Sequence, residues 1–254
     1  MNRILFEKDE IVDGVATFGG ERAEHVLKVL HGEVGQMLKT GEINGPVGTS
    51  VITAVTSGEA ASSPLEEKEL SVTVRCSHNE PTIRPWIDLI LAPPRPRVMK
   101  RLLPQLAAMG VGRIFLIGAK KVEKDFWGAT LLKEENYRPL LIDGLMQAGT
   151  SILPTLETRR NFRKFVKEEV DGLWPEAKRI VAHPYGSPDN RTITQSPNHP
   201  ILLAIGPEGG WTDEEVALLE EHGFARYSLG ARILRTDTAT VALLAQLMKE
   251  FDKC

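Results

Sequence analysis

The sequence predicts an α/β fold, a mainly parallel sheet covered by helices, preceded by a smaller β-rich domain. Three observations carry this. From Ile87 onward, apolar runs of strand length alternate with helical patterns, which is how βαβ units read. Ahead of that, short β-rich segments are punctuated by Gly35, Gly41, Gly45 and Gly48, which suits a small β-barrel. Near the carboxyl end, two successive strand–loop–helix units each turn on glycine.

In chain order, the first domain spans residues 1–76, with strand candidates at Ile4-Leu5, Gln36–Leu38, Val51–Val55 and Leu70–Val74. Ser57 to Lys68 is small, polar and acidic, and reads as a surface loop. Residues 77–85 are polar, carry two prolines and read as a linker. The second domain, 86–254, opens with an apolar strand at Ile87–Ala92, broken by Pro93-Pro94-Arg95-Pro96. A helix is expected from Arg97 to Met109, kinked at Pro104. Arg113–Ile117 is the next strand. Leu131–Gln147 is helical in pattern, with Pro139 placed to split or kink it. Phe162–Glu169 reads as a shorter helix and Arg179–Ala182 as a strand. No internal repeat is present.

The stretch IGPEGGWTDEEV, Ile205 to Val216, is the most informative. The apolar run Ile201–Ile205 is long enough for a buried strand. Gly206, Gly209 and Gly210 follow, with Pro207 between, a composition that lets backbone approach a ligand closely. Thr212 starts a helix, and Glu215 three residues later completes a capping box. Gly223 is placed to end that helix. A glycine loop before a helix first suggests phosphate, but Glu208, Asp213, Glu214 and Glu215 would repel an anion. No Gly-Lys-Ser/Thr ending follows, which excludes a Walker-type loop. A neutral or cationic ligand held by backbone groups fits better. Alone, such a loop reads as a tight structural turn.

LGARILRTDTA, Leu229 to Ala239, repeats the layout. Phe224–Leu229 reads as a strand and Gly230 breaks it. Ile233 and Leu234 put apolar side chains into the loop between Arg232 and Arg235. Thr236 or Asp237 caps a helix with Val241, Leu244, Leu247 and Met248 on its apolar side. Each arginine alone reads as a surface ion-pair partner; two beside a second glycine loop point equally to a substrate-facing role.

This pair of motifs closely resembles the signature of the RsmE-type 16S ribosomal RNA uridine-N3 methyltransferases, members of the SPOUT superfamily. His25-Val26-Leu27-Lys28-Val29-Leu30 looks like the family's first-domain motif, and Val181-Ala182-His183-Pro184 like another wall of its cofactor pocket. The resemblance implies a trefoil-knotted methyltransferase domain with an amino-terminal PUA-like RNA-binding barrel. It implies S-adenosylmethionine as cofactor and 16S ribosomal RNA or the small subunit as partner. It also implies a homodimer whose site is completed by the neighbouring chain, with the helix Thr238–Phe251 a candidate for part of the interface. The cofactor would be held by His183, Ile205, Gly206, Pro207, Glu208, Gly209, Gly210, Leu229, Gly230, Ile233, Leu234 and Thr238. Arg232, Arg235 and Glu208 are the catalytic candidates, and Arg3, Lys28, Arg95, Arg97 and Arg101 the RNA-facing ones. The chain departs from the family at Pro104-Gln105, at Ala108-Met109-Gly110-Val111, at Gly149-Thr150 where an arginine is usual, and at Asp237 in place of glutamate. Lys28 and His31 stand where arginines are usual. These departures put the RNA target, more than the cofactor pocket, in question.

Composition agrees with an ordinary globular enzyme: 254 residues, 42% hydrophobic and 26% charged. No apolar run approaches a membrane span of roughly 20 residues. The opening residues lack a signal-peptide core, so a cytoplasmic location is expected. Cys76 and Cys254 show no metal or redox spacing; both are expected to be free thiols, and no metal is expected. A net charge of −3 is not that of a general nucleic-acid binder. Basic residues nevertheless cluster at Arg95–Arg101, at Lys120, Lys121 and Lys124, and at Arg159, Arg160, Arg163 and Lys164. Each cluster reads as a solvated face, or as a set of phosphate contacts if RNA binds. Three classes therefore stand: a methyltransferase, on this or another RNA nucleotide; an RNA-binding module without turnover; and a nucleotide hydrolase, which the acidic loop disfavours.

Overall fold

The structure, a computed structural model, describes residues 2–56, 70–185 and 201–251, with only the backbone described for 249–251. The expected loop Ser57–Lys68 and the terminal Cys254 lie outside the described residues. The chain divides into two compact units: Met1–Ile83 with Leu145–Leu153, and Arg84–Gly144 with Pro154–Cys254.

The first unit is a mixed six-stranded sheet: β1 (Ile4–Phe6), β2 (Ile11–Val12), β3 (Val15–Phe18), β4 (Met37–Glu42), β5 (Val47–Thr56) and β6 (Ser71–Glu80), in the order β1-β4-β5-β6-β3-β2. Only β1 and β4 pair in parallel. Period-2 alternation sends Leu38, Ile52, Val72 and Val74 inward to pack with Phe6, Phe18 and Val26. The motif at His25 continues a short helix, α1 (Gly20–Glu24), as a single wider π turn over His25–Val29. The stretch expected as a linker begins as strand. β6 runs on to Glu80 because His78 turns inward, its Nε2 bonded to Thr40 Oγ1 at 2.8 Å and its ring stacked on Phe6. Leu145–Leu153 joins this unit through backbone: Asn2 and Arg3 N–H donate to Met146 O, and Asn44 N–H to Ser151 O.

The second unit alternates as expected, through β7 (Ile87–Leu91), α2 (Pro96–Ala108), β8 (Val111–Ile117), α3 (Glu134–Ala148), β9 (Thr155–Arg159), α4 (Phe162–Glu168), α5 (Val170–Leu173), β10 (Lys178–Ala182), β11 (Ile201–Ile205), α6 (Asp213–Glu221), β12 (Ala225–Tyr227) and α7 (Thr236–Phe251). Its six strands run in the order β12-β10-β11-β7-β8-β9, and every pairing is parallel. β7 and β11 are buried along their whole length, as central strands covered on both faces must be. Pro96 sits in the first turn of α2, where its missing N–H costs nothing, and Pro104 lies inside that helix. The helix expected from Leu131 starts only at Glu134, after a short 3-10 turn at Thr130–Leu132, and carries Pro139 internally. The strand expected over Phe224–Leu229 is limited to Ala225–Tyr227. β9 has no counterpart in the sequence reading. A buried carboxylate on β7, Asp88, is fully engaged: it accepts from Arg113 N (2.7 Å), Arg113 Nε (2.9 Å) and Trp174 Nε1.

Parallel strands place all their carboxyl ends on one edge of the sheet. The chain runs β7, β8, β9 outward to one side, then returns beyond β7 to build β11, β10 and β12. Ligands in open α/β sheets bind outside the carboxyl ends, where strand order reverses.

Candidate functional site

Residues 183–184, just after β10, and the loops leaving β11 and β12 line a cavity of about 190 Å³ at that edge. Its lining joins His183 from the first segment, Ile205, Gly206, Pro207, Glu208 and Gly210 from the second, and Leu229, Gly230, Arg232, Ile233 and Leu234 from the third. Backbone bonds lock the loops together. His183 N–H donates to Tyr227 O at 3.0 Å, Ala92 N–H to Ile205 O at 2.9 Å, and Gly210 N–H to Pro207 O at 2.8 Å. Thr236 Oγ1 donates to Gly206 O at 3.3 Å, tying the start of α7 to the glycine loop.

The glycines are explained by geometry. A Cβ on Gly206 would stand 3.0 Å from the Trp211 ring, so this backbone can approach the indole only without a side chain. Gly210 holds φ +69°, a left-handed conformation that side chains disfavour. The capping box forms as read: Thr212 Oγ1 accepts from Glu215 N, and Glu215 Oε2 accepts from Thr212 N at 2.9 Å. α6 stops at Glu221, followed by Gly223 at φ +80°. The buried Glu215 has a further function that the sequence did not reveal. Its Oε1 accepts Lys120 N–H at 2.7 Å, fastening the turn after β8 to α6. Beside it, Lys121 Nζ donates to Gly209 O at 2.8 Å.

Not every expected residue lines the cavity. Gly209 faces instead a smaller crevice with Lys121, Arg95 and Glu123. Thr238 lies on α7, where Thr236, Ala239 and Leu243 form the wall in its place. Arg235 is exposed and stands 3.9 Å from Asp237. Of the two arginines expected to be catalytic, only Arg232 reaches the lining. Among the RNA-facing candidates, Arg3 is spent inside the first unit, donating to the carbonyls of Thr40 (2.6 Å), Gly48 (2.9 Å) and Gly149 (3.0 Å). Burial lowers its pKa, against the pull of Glu80. Lys28 pairs with Glu24, Arg95 with Glu123, and Arg101 lies 3.8 Å from Asp237. The Glu123 carboxylate, with a smaller pull from Glu208, raises the Arg95 pKa. Arg97 is exposed, with no ion pair among the described residues.

The wall read at residues 181–184 supplies Ala182, His183 and Pro184 to the lining, whereas sequence reasoning missed Trp211, Tyr227 and Ser228. Trp211 was within the quoted motif; its buried Nε1–H finds no acceptor among the described residues. The lining is mainly apolar, and Ile233 and Leu234 remain 77% and 38% exposed at its rim. Two large apolar side chains left in water beside an apolar cavity suit a ligand with a flat, weakly polar face. The carboxylate that does line this cavity, Glu208, opposes a phosphate there.

Comparison with known proteins decides the family. Residues 81–248 match the RNA methyltransferase domain family. The chain belongs to that family. Among relatives of this RNA methyltransferase, the ribosomal RNA small subunit methyltransferase E of Treponema pallidum is 28% identical over 98% of this chain and 91% of its own length. A putative methyltransferase from Legionella pneumophila, solved in complex with the bound cofactor SAM, superposes with TM-score 0.73 at 25% identity, covering 98% of this chain and 97% of that one. The ribosomal RNA small subunit methyltransferase E of Neisseria gonorrhoeae shares the fold, with TM-score 0.70 at 21% identity over 98% and 97% of the two chains. The RsmE-type resemblance read from the two glycine motifs is thus borne out. Among the described residues, no helix is long and apolar enough to cross a membrane, and no cluster of His, Cys, Asp or Glu is placed to hold a metal.

Proposed function

We propose that this RNA methyltransferase methylates N3 of a uridine in small-subunit ribosomal RNA, with S-adenosylmethionine as methyl donor. The observation that carries the reading is the mainly apolar cavity beneath the two glycine loops, with the Glu208 carboxylate in its lining. The relatives named above support it, one being a small-subunit methyltransferase E and one holding SAM. The residues fit that cofactor. Ile205, Leu229, Ile233 and Leu234 offer apolar faces to a purine, the loop backbone offers donors and acceptors, and the exposed Glu208 suits a cationic centre. S-adenosylmethionine would supply an electrophilic methyl group, the methyl–sulfur bond breaking as the methyl–N3 bond forms and its electron pair staying on sulfur as a neutral thioether.

The chain must do the rest. Uridine N3–H is a weak acid and loses its proton before N3 forms its new bond. Glu208 accepts that proton, directly or through water, and Arg232 offsets negative charge building on the uracil carbonyls. Arg235, outside the lining, contacts substrate only if its loop shifts. We further assign the knotted topology, the PUA-like character of the first unit, and a homodimer using α7, all supported by the family resemblance. Replacing Arg232 with alanine is expected to slow methyl transfer about 10²-fold at saturating cofactor. Equal rates for wild type, Arg232→Ala and Arg235→Ala would remove the arginines from the mechanism. Mapping modified uridines in small-subunit RNA from cells lacking the protein, then restoring it, identifies the nucleotide; an unchanged map would refute the substrate.

A further inference from the structure

A second cavity, of about 310 Å³, lies on the other side of the Gly210–Thr212 segment. Lys120, from the turn after β8, faces it together with Arg160 and Arg163, from the start of α4. Two basic clusters about 40 residues apart in sequence are thus folded around one opening. None of the three side chains makes an ion pair among the described residues, whereas Arg159, Arg179 and Arg226 of the same unit are each held by a carboxylate. Arg160 gives one donor to Trp127 O at 3.3 Å and lays its guanidinium over the half-buried Trp127 ring, 5.6 Å from the centroid. The floor is Phe162, whose ring lies 5.5 Å from Trp211, the indole in the wall of the first cavity. Two carboxylates also line the opening. Glu215 is already engaged by Lys120 N and Thr212; Glu214 is exposed and opposes an anion.

We propose that this opening holds a backbone phosphate of the RNA substrate, gripped by Arg160 and Arg163 with Lys120 beside them. The inference rests on the methyltransferase reading. Unpaired guanidinium forks on a concave surface recognise phosphate oxygens. An arginine stacked on a tryptophan at the edge gives the adjoining nucleotide a surface suited to single-stranded RNA. The contact sits one aromatic layer from the cofactor cavity, close enough to fix the strand while a neighbouring base enters it.

The test is binding of protein-free small-subunit RNA at a series of salt concentrations, with S-adenosylmethionine affinity and methyl transfer measured on the same preparations. One phosphate contact on a single strand contributes about 0.7 to the slope of log K against log salt. Arg160→Gln with Arg163→Gln is expected to lower the slope by about that amount, with cofactor affinity unchanged. Glu214→Gln is expected to tighten RNA binding. A control removing two charges that do not line the opening, Lys8→Gln with Lys133→Gln, should leave the slope as it is. An unchanged slope in the arginine variant, or an equal fall in the control, overturns the site while leaving the methyltransferase reading intact. A defect seen only on assembled subunits, and not on protein-free RNA, also overturns it, because the contact would then be to a ribosomal protein. Wild-type protein that binds no RNA and transfers no methyl group removes both the site and the reading beneath it.

Discussion

Glu215 gathers Lys120 N–H, Thr212 N–H and the Thr212 hydroxyl onto one buried carboxylate. A helix cap of this kind contributes about 1 kcal/mol, and a charged acceptor bonded to a backbone amide about 1.5–3 kcal/mol. Glu215→Ala is therefore expected to lower stability by about 2–4 kcal/mol in urea denaturation; a loss under about 1 kcal/mol would show that the fastening carries little. His78 gives a pH-dependent counterpart in the first unit. Burial lowers its pKa; Glu42 opposes this and Arg3 adds to it. The folded state therefore favours the neutral ring. Its contribution is complete above the ordinary imidazole value of about 6.5 and is lost as pH falls through the depressed folded value. The urea midpoint of wild type should fall between pH 7.5 and 5.5 by more than that of His78→Gln, and parallel curves would contradict this. At this scale, local chemistry was legible: the capping box needs only Thr212 and Glu215 three residues apart. The Glu215 bond to Lys120 was not legible, because its partners are far apart in sequence and meet only through the sheet.

At the scale of elements, the turn after β8 braces the cofactor loop, with Lys121 Nζ on Gly209 O and the Lys121 stem 3.0 Å from where a Gly209 Cβ would stand. Lys121→Met should weaken S-adenosylmethionine binding about tenfold, equivalent to about 1.4 kcal/mol. Because Lys121 is exposed, the unfolding midpoint should move little, and Lys121→Arg should restore affinity. Unchanged affinity in the methionine variant would show the bond to be incidental. β7, β8, β10 and β11 were readable because both faces of a central parallel strand are buried and the sequence becomes a continuous apolar run. β9, Thr155–Arg159, was not: it lies at the sheet edge, and its Glu157 and Arg159 are held in ion pairs rather than in core. β2 and β3 escaped for a similar reason, being two and four residues long. The extension of β6 to Glu80 depends on His78 packing inward, a polar residue that periodicity counts as solvent-facing.

At the scale of the molecule, the alternation of strand and helix announced a parallel sheet, but not its order. That β10, β11 and β12 lie together beyond β7 follows from pairings between distant segments, and it is this order that gathers the residues after three strands into one cavity. Leu145–Leu153 belongs with the first unit although it begins within the last turn of α3, a return that no composition shift marks. The proposed methyl transfer depends on that cavity accepting a sulfonium nucleoside. Calorimetric titration of the full chain with S-adenosylmethionine, beside Gly206→Ala, tests it most directly. Wild type should bind one molecule per chain, with ATP failing to compete. Gly206→Ala, whose methyl would press on the Trp211 ring, should remain folded and bind at least about tenfold more weakly, a difference of about 1.4 kcal/mol. No heat from wild-type protein, or equal affinity for ATP, would contradict the account.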